Sequence, residues 1–161
     1  MNRFHGVFLT IWISLTTASC TPPAIVALNE GSDALMAGNA EGALKLYDKA
    51  VAIDPTLVSA HCMRGQALLR LRAPGKAVEA FSECLRLDPS DLDGRVSLAI
   101  AFLASCEYAK AREALDVFDK APSANERVVH NAAWVRRKLE KADSLGGRCL
   151  PASDVDVADL R

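Results

Sequence analysis

The sequence predicts an all-α protein in which pairs of antiparallel helices stack along the chain, with one more helix at the C-terminal end. The main observation is that small, aromatic and proline residues recur at a spacing of 34 residues. The recurring pairs are Gly31 and Gly65, Ala43 and Ala77, Tyr47 and Phe81, Ala50 and Cys84, and Pro55 and Pro89. A third, weaker copy follows at Ala99, Ala111, Leu115 and Phe118, and its proline, Pro122, comes one residue early. A stride of this length is typical of repeats in which every unit is one helix-turn-helix.

Each recurring residue type has a packing reason. Gly31 and Ala43 are small because they lie where two antiparallel helices approach most closely. Tyr47 fills the space toward the next repeat, and Pro55 ends a helix because it lacks the backbone donor that would extend it. The pattern resembles that of tetratricopeptide repeats (TPRs). That resemblance implies a right-handed α-α superhelix of about three TPR repeats plus a C-terminal capping helix.

The elements follow in order along this array. Six repeat helices are predicted over residues 24–37, 40–53, 58–71, 74–87, 92–104 and 108–120. A seventh helix is predicted over 125–144, with a basic cluster of Arg136, Arg137, Lys138 and Lys141 in its C-terminal half. This cluster is either a partner patch or a solvated capping face that complements the helix dipole. We divide the chain into a signal peptide (1–19), a TPR domain with its capping helix (20–145) and a flexible tail (146–161).

The first twenty residues are typical of a targeting segment. Arg3 supplies a positive charge, and residues 7–15 form an apolar run of nine residues, which is shorter than the roughly 20 that a membrane-spanning helix needs. Thr16 to Ser19 then lead to Cys20 and resemble a bacterial lipobox, which implies cleavage before Cys20 and acylation of its thiol. The alternative is an ordinary secretory signal in which Cys20 is an incidental thiol. Resemblance to Gram-negative lipoproteins implies the periplasmic face of the outer membrane, because Thr21 is not aspartate.

Composition and motifs exclude several classes of function. The net charge of −1 offers no positive excess for binding nucleic acid. The histidines His5, His61 and His130 have no metal-ligand spacing, and no glycine-rich phosphate loop follows a predicted strand. We therefore expect no enzyme activity, no metal and no cofactor.

The first helix of each repeat is expected to line a groove. By resemblance to the family, ligand contacts come from fixed positions of these helices. The groove residues read off in this way are Leu28, Leu35, Met36, Cys62, Gln66, Leu69, Arg70, Val96, Ile100 and Leu103. The set is mainly apolar, so it favours a partner segment with Leu, Ile or Phe anchors. It also disfavours a carboxylate-clamp ligand, since only Arg70 and Gln66 could hold a terminal carboxylate. Alternatively, the seventh helix or the tail of the protein itself fills the groove.

The cysteines suggest one cross-link. Cys84 takes a small-residue position and is read as a buried stand-in for alanine. Cys106 lies in the turn of the third repeat, and an antiparallel seventh helix would bring Cys149 back to that turn. A Cys106–Cys149 disulfide is therefore geometrically plausible in a compartment that allows disulfides.

The lipobox followed by TPRs resembles the small TPR lipoproteins of the bacterial envelope, first the TadD-type proteins of Flp (tight-adherence) pilus assembly and next the pilotins of type IV pili. The resemblance implies an outer-membrane-anchored scaffold whose partner is a protein of a pilus, a secretin or another envelope machine. Two other roles remain open within the binding class: a general envelope-assembly scaffold, or a regulator of cell-wall enzymes. A soluble periplasmic chaperone would follow if Cys20 were not acylated.

Overall fold

In the computed structural model, the described residues are 21–116 and 125–155, and they form seven α-helices and one 3-10 helix. The α-helices are α1 (Pro23–Met36), α2 (Ala40–Ile53), α3 (Val58–Arg70), α4 (Pro74–Leu87), α5 (Leu92–Ala104), α6 (Tyr108–Asp116) and α7 (Glu126–Ser144). The 3-10 helix spans Ala152–Val155. Neighbouring helices pack as the pairs α1–α2, α3–α4 and α5–α6, and α7 packs against α5 and α6. The predicted all-α architecture of stacked helix pairs is confirmed.

Side-chain caps and prolines set where the helices begin. Asn39 caps α2 by accepting a hydrogen bond from the Gly42 amide at 2.9 Å, and Asn125 caps α7 by accepting one from the Val128 amide at 2.9 Å. At the starts of α1 and α4 a proline stands instead, where its missing amide hydrogen leaves no bond unmade.

The first helix of each pair ends in the same left-handed turn. The turn residues lie 34 positions apart and have positive φ: Gly38 at 81°, Arg72 at 55° and Cys106 at 62°. In each turn the next amide donates to a carbonyl five residues earlier, which satisfies the end of the helix. These bonds run from Asn39 to Ala34 (2.9 Å), from Ala73 to Leu68 (2.9 Å) and from Glu107 to Phe102 (2.8 Å). The backbone conformation is thus the same at this position of each repeat, although the residue type differs.

The glycines of the repeat lie against aromatic rings. A Cβ atom on Gly65 would come within 2.7 Å of the Phe81 ring, and one on Gly31 would come within 2.6 Å of the Tyr47 ring. Both rings are fully buried. The predicted close approach of the paired helices is therefore made by an aromatic ring packed directly on a glycine backbone.

The C-terminal segment closes the array. The largest core cluster joins residues of α3 to α6 with Val128, Val135 and Leu139 of α7, and it also includes Leu150. The 3-10 helix contacts α5, and Asp154 within it accepts a 2.8 Å bond from Lys141 of α7. The sequence assigns residues 146–161 to a flexible tail, whereas the described part of this segment is packed on the array.

Two further facts concern membrane crossing and the limits of the described residues. In the described parts of the chain, no helix combines the length and the apolar character needed to cross a bilayer. The predicted signal peptide and Cys20, as well as Phe118 and Pro122, lie outside the described residues.

Candidate functional site

Half of the predicted groove residues are buried in the core. Leu35 belongs to a cluster with Ala43 and Tyr47, and four others belong to the cluster that includes α7 and Leu150. Those four are Leu69, Val96, Ile100 and Leu103. A ligand could reach these side chains only by displacing part of the protein. The expectation that these five residues line an open groove therefore needs correction, and at the third repeat α5 packs against α7 and the 3-10 helix instead.

The other half of the predicted set is accessible to different degrees. Leu28, Cys62 and Gln66 are half-buried, while Met36 and Arg70 are exposed. Met36 is 79% exposed, the most of any large apolar side chain in the described residues. The Arg70 guanidinium donates a 3.2 Å hydrogen bond to the Leu35 carbonyl. Arg70 is thus held at the end of α1, which limits its reach toward a ligand carboxylate.

An open depression of about 530 Å³ lies where the first two repeats meet the start of α5. We call it the central depression. Of the predicted set it contains Cys62 and Gln66, both on α3. Its remaining lining residues come from the α2–α3 turn, from α3 and from the start of α5, and they are Asp54, Thr56, Leu57, Val58, Ser59, Met63, Asp91 and Asp93.

Carboxylates give the central depression a negative character. Asp54 accepts hydrogen bonds from the Thr56 hydroxyl at 2.7 Å and from the Thr56 amide at 2.9 Å. These bonds lower the pKa of Asp54 because they stabilise its charged form. Asp91 caps α5 through the Asp93 amide at 3.0 Å, and Asp93 forms an ion pair with Arg127 at 2.6 Å. An anionic ligand would therefore meet aspartate carboxylates on entry.

Two disulfides link the four cysteines of the described residues. One joins Cys106 to Cys149, the pair that the sequence singles out, with their Cα atoms 5.3 Å apart. The other joins Cys62 of α3 to Cys84 of α4, also with a Cα separation of 5.3 Å. Cys84 is fully buried, as expected for a stand-in for alanine, but the sequence did not indicate its bond to Cys62.

The Cys106–Cys149 disulfide lies beside two hydrogen bonds that hold the C-terminal segment in place. The Tyr108 hydroxyl donates to the Arg148 carbonyl at 3.0 Å and accepts from the Leu150 amide at 2.8 Å. Leu150 is buried in the main core. The cross-link, the tyrosine and the leucine together hold the chain against the α5–α6 turn.

The basic cluster of α7 has nearby partners. Lys141 pairs with Asp154 at 2.8 Å, and the Lys138 ammonium lies 5.2 Å from the centre of the Trp134 ring. Arg136 lines a 220 Å³ pocket between α6 and α7 together with Glu140 and Asp143. These contacts favour the capping-face interpretation of this cluster.

His61 makes a structural contact at the start of α3. Its Nε2 lies 2.9 Å from the Pro55 carbonyl in the α2–α3 turn, and the residue is buried. His61 therefore ties the start of α3 to the preceding turn.

Comparison with known proteins gives the family of the repeats. A family model described as "TPR repeat" matches residues 36–71, and one described as "Tetratricopeptide repeat" matches residues 62–125. Together the matches extend from residue 36 to residue 125, more than half of the chain.

Curated relatives share the repeats but are much longer proteins. The chain is 37% identical over 82 residues to the inactive TPR repeat-containing thioredoxin TTL3 of Arabidopsis thaliana, which covers 51% of this chain and 12% of that protein. It is 33% identical over 97 residues to the DnaJ homolog subfamily C member 7 homolog of Schizosaccharomyces pombe, covering 58% of this chain and 18% of the relative. The chain thus spans less than a fifth of the length of these relatives.

Solved structures with the same fold are TPR domains. The TPR2B domain of yeast Sti1, in a complex with an Hsp70 peptide, superposes with a TM-score of 0.70 at 23% identity and covers 75% of this chain and 98% of that chain. The first TPR domain of Spaghetti (RPAP3), bound to the HSP90 peptide SRMEEVD, has a TM-score of 0.66 at 19% identity, with 76% and 96% covered. At these identities the likeness establishes the fold.

Proposed function

The chain is built from tetratricopeptide repeats, and we propose on that premise that it is a non-catalytic scaffold that binds a segment of a partner protein in the central depression. The observation that carries the proposal is the depression itself, which lies between consecutive repeats and is open to solvent. Its size is within the range of about 300 to 1,000 Å³ that is common for binding sites.

The lining residues favour a particular kind of segment. Leu57, Val58 and Met63 offer apolar contact, and the unbranched Met63 side chain can adapt to different anchors. Asp54 and Asp91 add negative charge at the same place. We therefore propose a partner segment with an apolar anchor followed or preceded by Lys or Arg. The HSP90 peptide SRMEEVD that RPAP3 binds has more acidic than basic residues, and its net negative charge would be repelled here.

We further propose that Cys20 carries a lipid that holds the array on the periplasmic face of the outer membrane. There it would bind a protein of an envelope machine, a Flp or type IV-type pilus or a secretin. The lipobox-like run before Cys20 and the four cysteines paired in disulfides support an oxidising, membrane-associated setting. A general envelope scaffold, a regulator of cell-wall enzymes and a soluble periplasmic chaperone are the competing roles.

Replacing Cys20 with alanine tests the location. We expect the wild-type protein to incorporate labelled palmitate and to fractionate with outer membranes, and the Cys20→Ala variant to lose the label and become soluble in the periplasm. The Cys106→Ser/Cys149→Ser variant is a control because it lacks the Cys106–Cys149 disulfide but retains Cys20, so it should keep the label. Unchanged membrane retention of Cys20→Ala would refute the anchor, and a periplasmic wild-type protein without label would favour the soluble chaperone.

A second substitution tests the central depression. Ser59 lies in its wall and is exposed, so Ser59→Arg should fill it and weaken partner binding by about tenfold or more, or about 1.4 kcal/mol. The matched control is Ser82→Arg, at an exposed position of α4 outside the depression. The partner is first captured from envelope extracts, and its affinity for both variants is then measured. Equal affinities would place the binding surface elsewhere.

Two seemingly obvious groove variants are unsuitable for this test. Leu69 and Ile100 are buried, so glutamate at either position would leave an uncompensated charge in the core. Both variants should lose helicity, and any loss of binding would then report unfolding.

A further inference from the structure

Three potential metal ligands meet at the wall of the central depression. The Sγ atoms of Cys62 and Cys84 each lie 3.5 Å from the Asp91 Oδ2 atom. The three ligand atoms lie within 4.8 Å of one another. They come from three different elements, because Cys62 is on α3, Cys84 is on α4 and Asp91 precedes α5.

The Asp91 carboxylate is fixed with one oxygen toward the sulfurs. Its Oδ1 atom accepts the Asp93 amide hydrogen, which leaves Oδ2 to face the cysteines. The sulfurs of a disulfide have no hydrogen to donate to that oxygen. Reduced thiols can donate one, and two thiolates with a carboxylate can together bind a cation. The carboxylate is thus placed to accept a hydrogen bond from the reduced cysteine pair or to bind a cation together with it.

Gly94 leaves space for this cluster. A Cβ atom at this position would come within 2.6 Å of Asp91 Oδ2 and within 3.2 Å of Cys84 Sγ. Any larger residue would push the carboxylate away from the sulfurs. Glycine at position 94 is therefore needed to keep the carboxylate beside the sulfurs, and not only for the packing of helices.

The distances suit a tetrahedral ion. Zn²⁺ bonds thiolate sulfur at about 2.3 Å and carboxylate oxygen at about 2.1 Å, so a sulfur and an oxygen on one ion lie about 3.6 Å apart. This agrees with the observed 3.5 Å. The two sulfurs must move apart to about 3.8 Å once their bond is reduced. Cys62 and Asp91 line the depression whereas Cys84 is buried behind them, so the fourth coordination position would face the depression.

We propose that reduction of the Cys62–Cys84 disulfide creates a Zn²⁺ site whose ligands are the two thiolates and Asp91 Oδ2. The fourth ligand is a water or a side chain of a bound segment. The metal then replaces the disulfide as the link between α3 and α4, and the two thiolates neutralise the charge of the ion, so the net charge of this wall is unchanged. The proposal does not depend on the identity of the protein partner.

A dithiol reductant supplies the two electrons. One of its thiolates attacks the accessible Cys62 sulfur, the Cys62–Cys84 bond breaks, and Cys84 leaves as a thiolate. The second thiol of the reductant then attacks the mixed disulfide and releases Cys62, and the reductant leaves as its own disulfide. The protons of the dithiol pass to the two cysteines and are released to solvent when the ion binds.

Cobalt(II) is the probe for the site, because tetrahedral thiolate coordination gives it an intense sulfur-to-metal absorption. The full chain is reduced with a phosphine under argon and titrated with Co²⁺. We expect one equivalent to produce the band and Zn²⁺ to abolish it. Cys62→Ser and Cys84→Ala should lose this band, while the Cys106→Ser/Cys149→Ser control should keep it. Oxidised protein should not develop it.

Asp91→Asn separates ligation from helix capping. Asparagine caps helices as well as aspartate does, so circular dichroism should be unchanged while Co²⁺ affinity falls. Equal bands in wild type and Cys62→Ser, or a band that persists after oxidation, would overturn the site. Wild-type affinity in Asp91→Asn would overturn the assignment of the third ligand. Alanine at position 84 matches Ala50 of the first repeat, so that variant is expected to fold.

Discussion

Replacing Phe81 with alanine is expected to lower the free energy of unfolding by about 3 to 5 kcal/mol. The ring is fully buried and lies on the backbone of Gly65, so its removal opens a cavity between α3 and α4. Because neighbouring repeats share the same core cluster, the surrounding helices cannot close this cavity independently. Urea denaturation followed by circular dichroism measures the change.

Phe102 provides the matched control for this substitution. It is only half-buried, and its ring also contacts solvent-exposed Lys110, whose ammonium lies 5.5 Å from the ring centre. Phe102→Ala should therefore cost about 1 kcal/mol. Phe81→Leu keeps part of the volume and should fall between the two alanine variants. Equal losses for Phe81→Ala and Phe102→Ala would mean that the ring on Gly65 does not hold the repeat together.

Removing the Cys106–Cys149 cross-link is expected to cost about 4 kcal/mol, the loop-closure entropy for two cysteines with a sequence separation of 43. The variant Cys106→Ser/Cys149→Ser should also release the tail, so trypsin should cleave faster after Arg148. Urea denaturation under non-reducing conditions and timed proteolysis measure the two effects. Mass mapping of the wild-type protein verifies that the bond is present.

A second version of this variant separates the cross-link from the backbone. Cys106 has a left-handed φ of 62°, which costs a non-glycine residue about 1 to 2 kcal/mol. Cys106→Gly/Cys149→Ser lacks the bond too, but it should be more stable than the double serine variant by about 1 kcal/mol. If the double serine variant unfolds at the wild-type urea concentration, the cross-link contributes nothing to stability.

The local features of the fold could be predicted because they repeat. Gly31 and Tyr47 recur 34 residues later as Gly65 and Phe81, and each pair makes the same contact in space. Proline and asparagine mark the helix starts for reasons that act within one turn. The left-handed turns were harder to predict, because Arg72 and Cys106 stand where Gly38 would be the usual choice.

The candidate site was less predictable because it depends on contacts between distant segments. Ile100 lies at a ligand-facing position in the family pattern, yet in this protein it is buried in the core cluster that α7 and Leu150 also join. Residues that contact one another only after folding carry no shared period. Asp91 illustrates this best, since its carboxylate meets Cys62 from 29 residues away.

The negative charge of the central depression was also not predicted from the sequence. Asp54 precedes a proline, and Asp91 and Asp93 stand at the start of a helix, where acidic residues are common for capping alone. Only the stacking of the repeats brings them to the wall of one depression. Aspartate precedes proline at positions 54 and 88, but only Asp54 lines the depression, so this recurrence does not indicate the site.

The Cys106–Cys149 bond also determines how this protein would respond to tension. A pulling force that entered the chain beyond residue 149 would pass through the bond straight to the turn after α5. The segment between the cysteines, whose sequence separation is 43, includes α6 and α7 and would bear no load. This segment could add about 150 Å to the stretched length of the chain, but only after the bond was reduced. Stretching a single molecule would thus report its redox state as a difference in length.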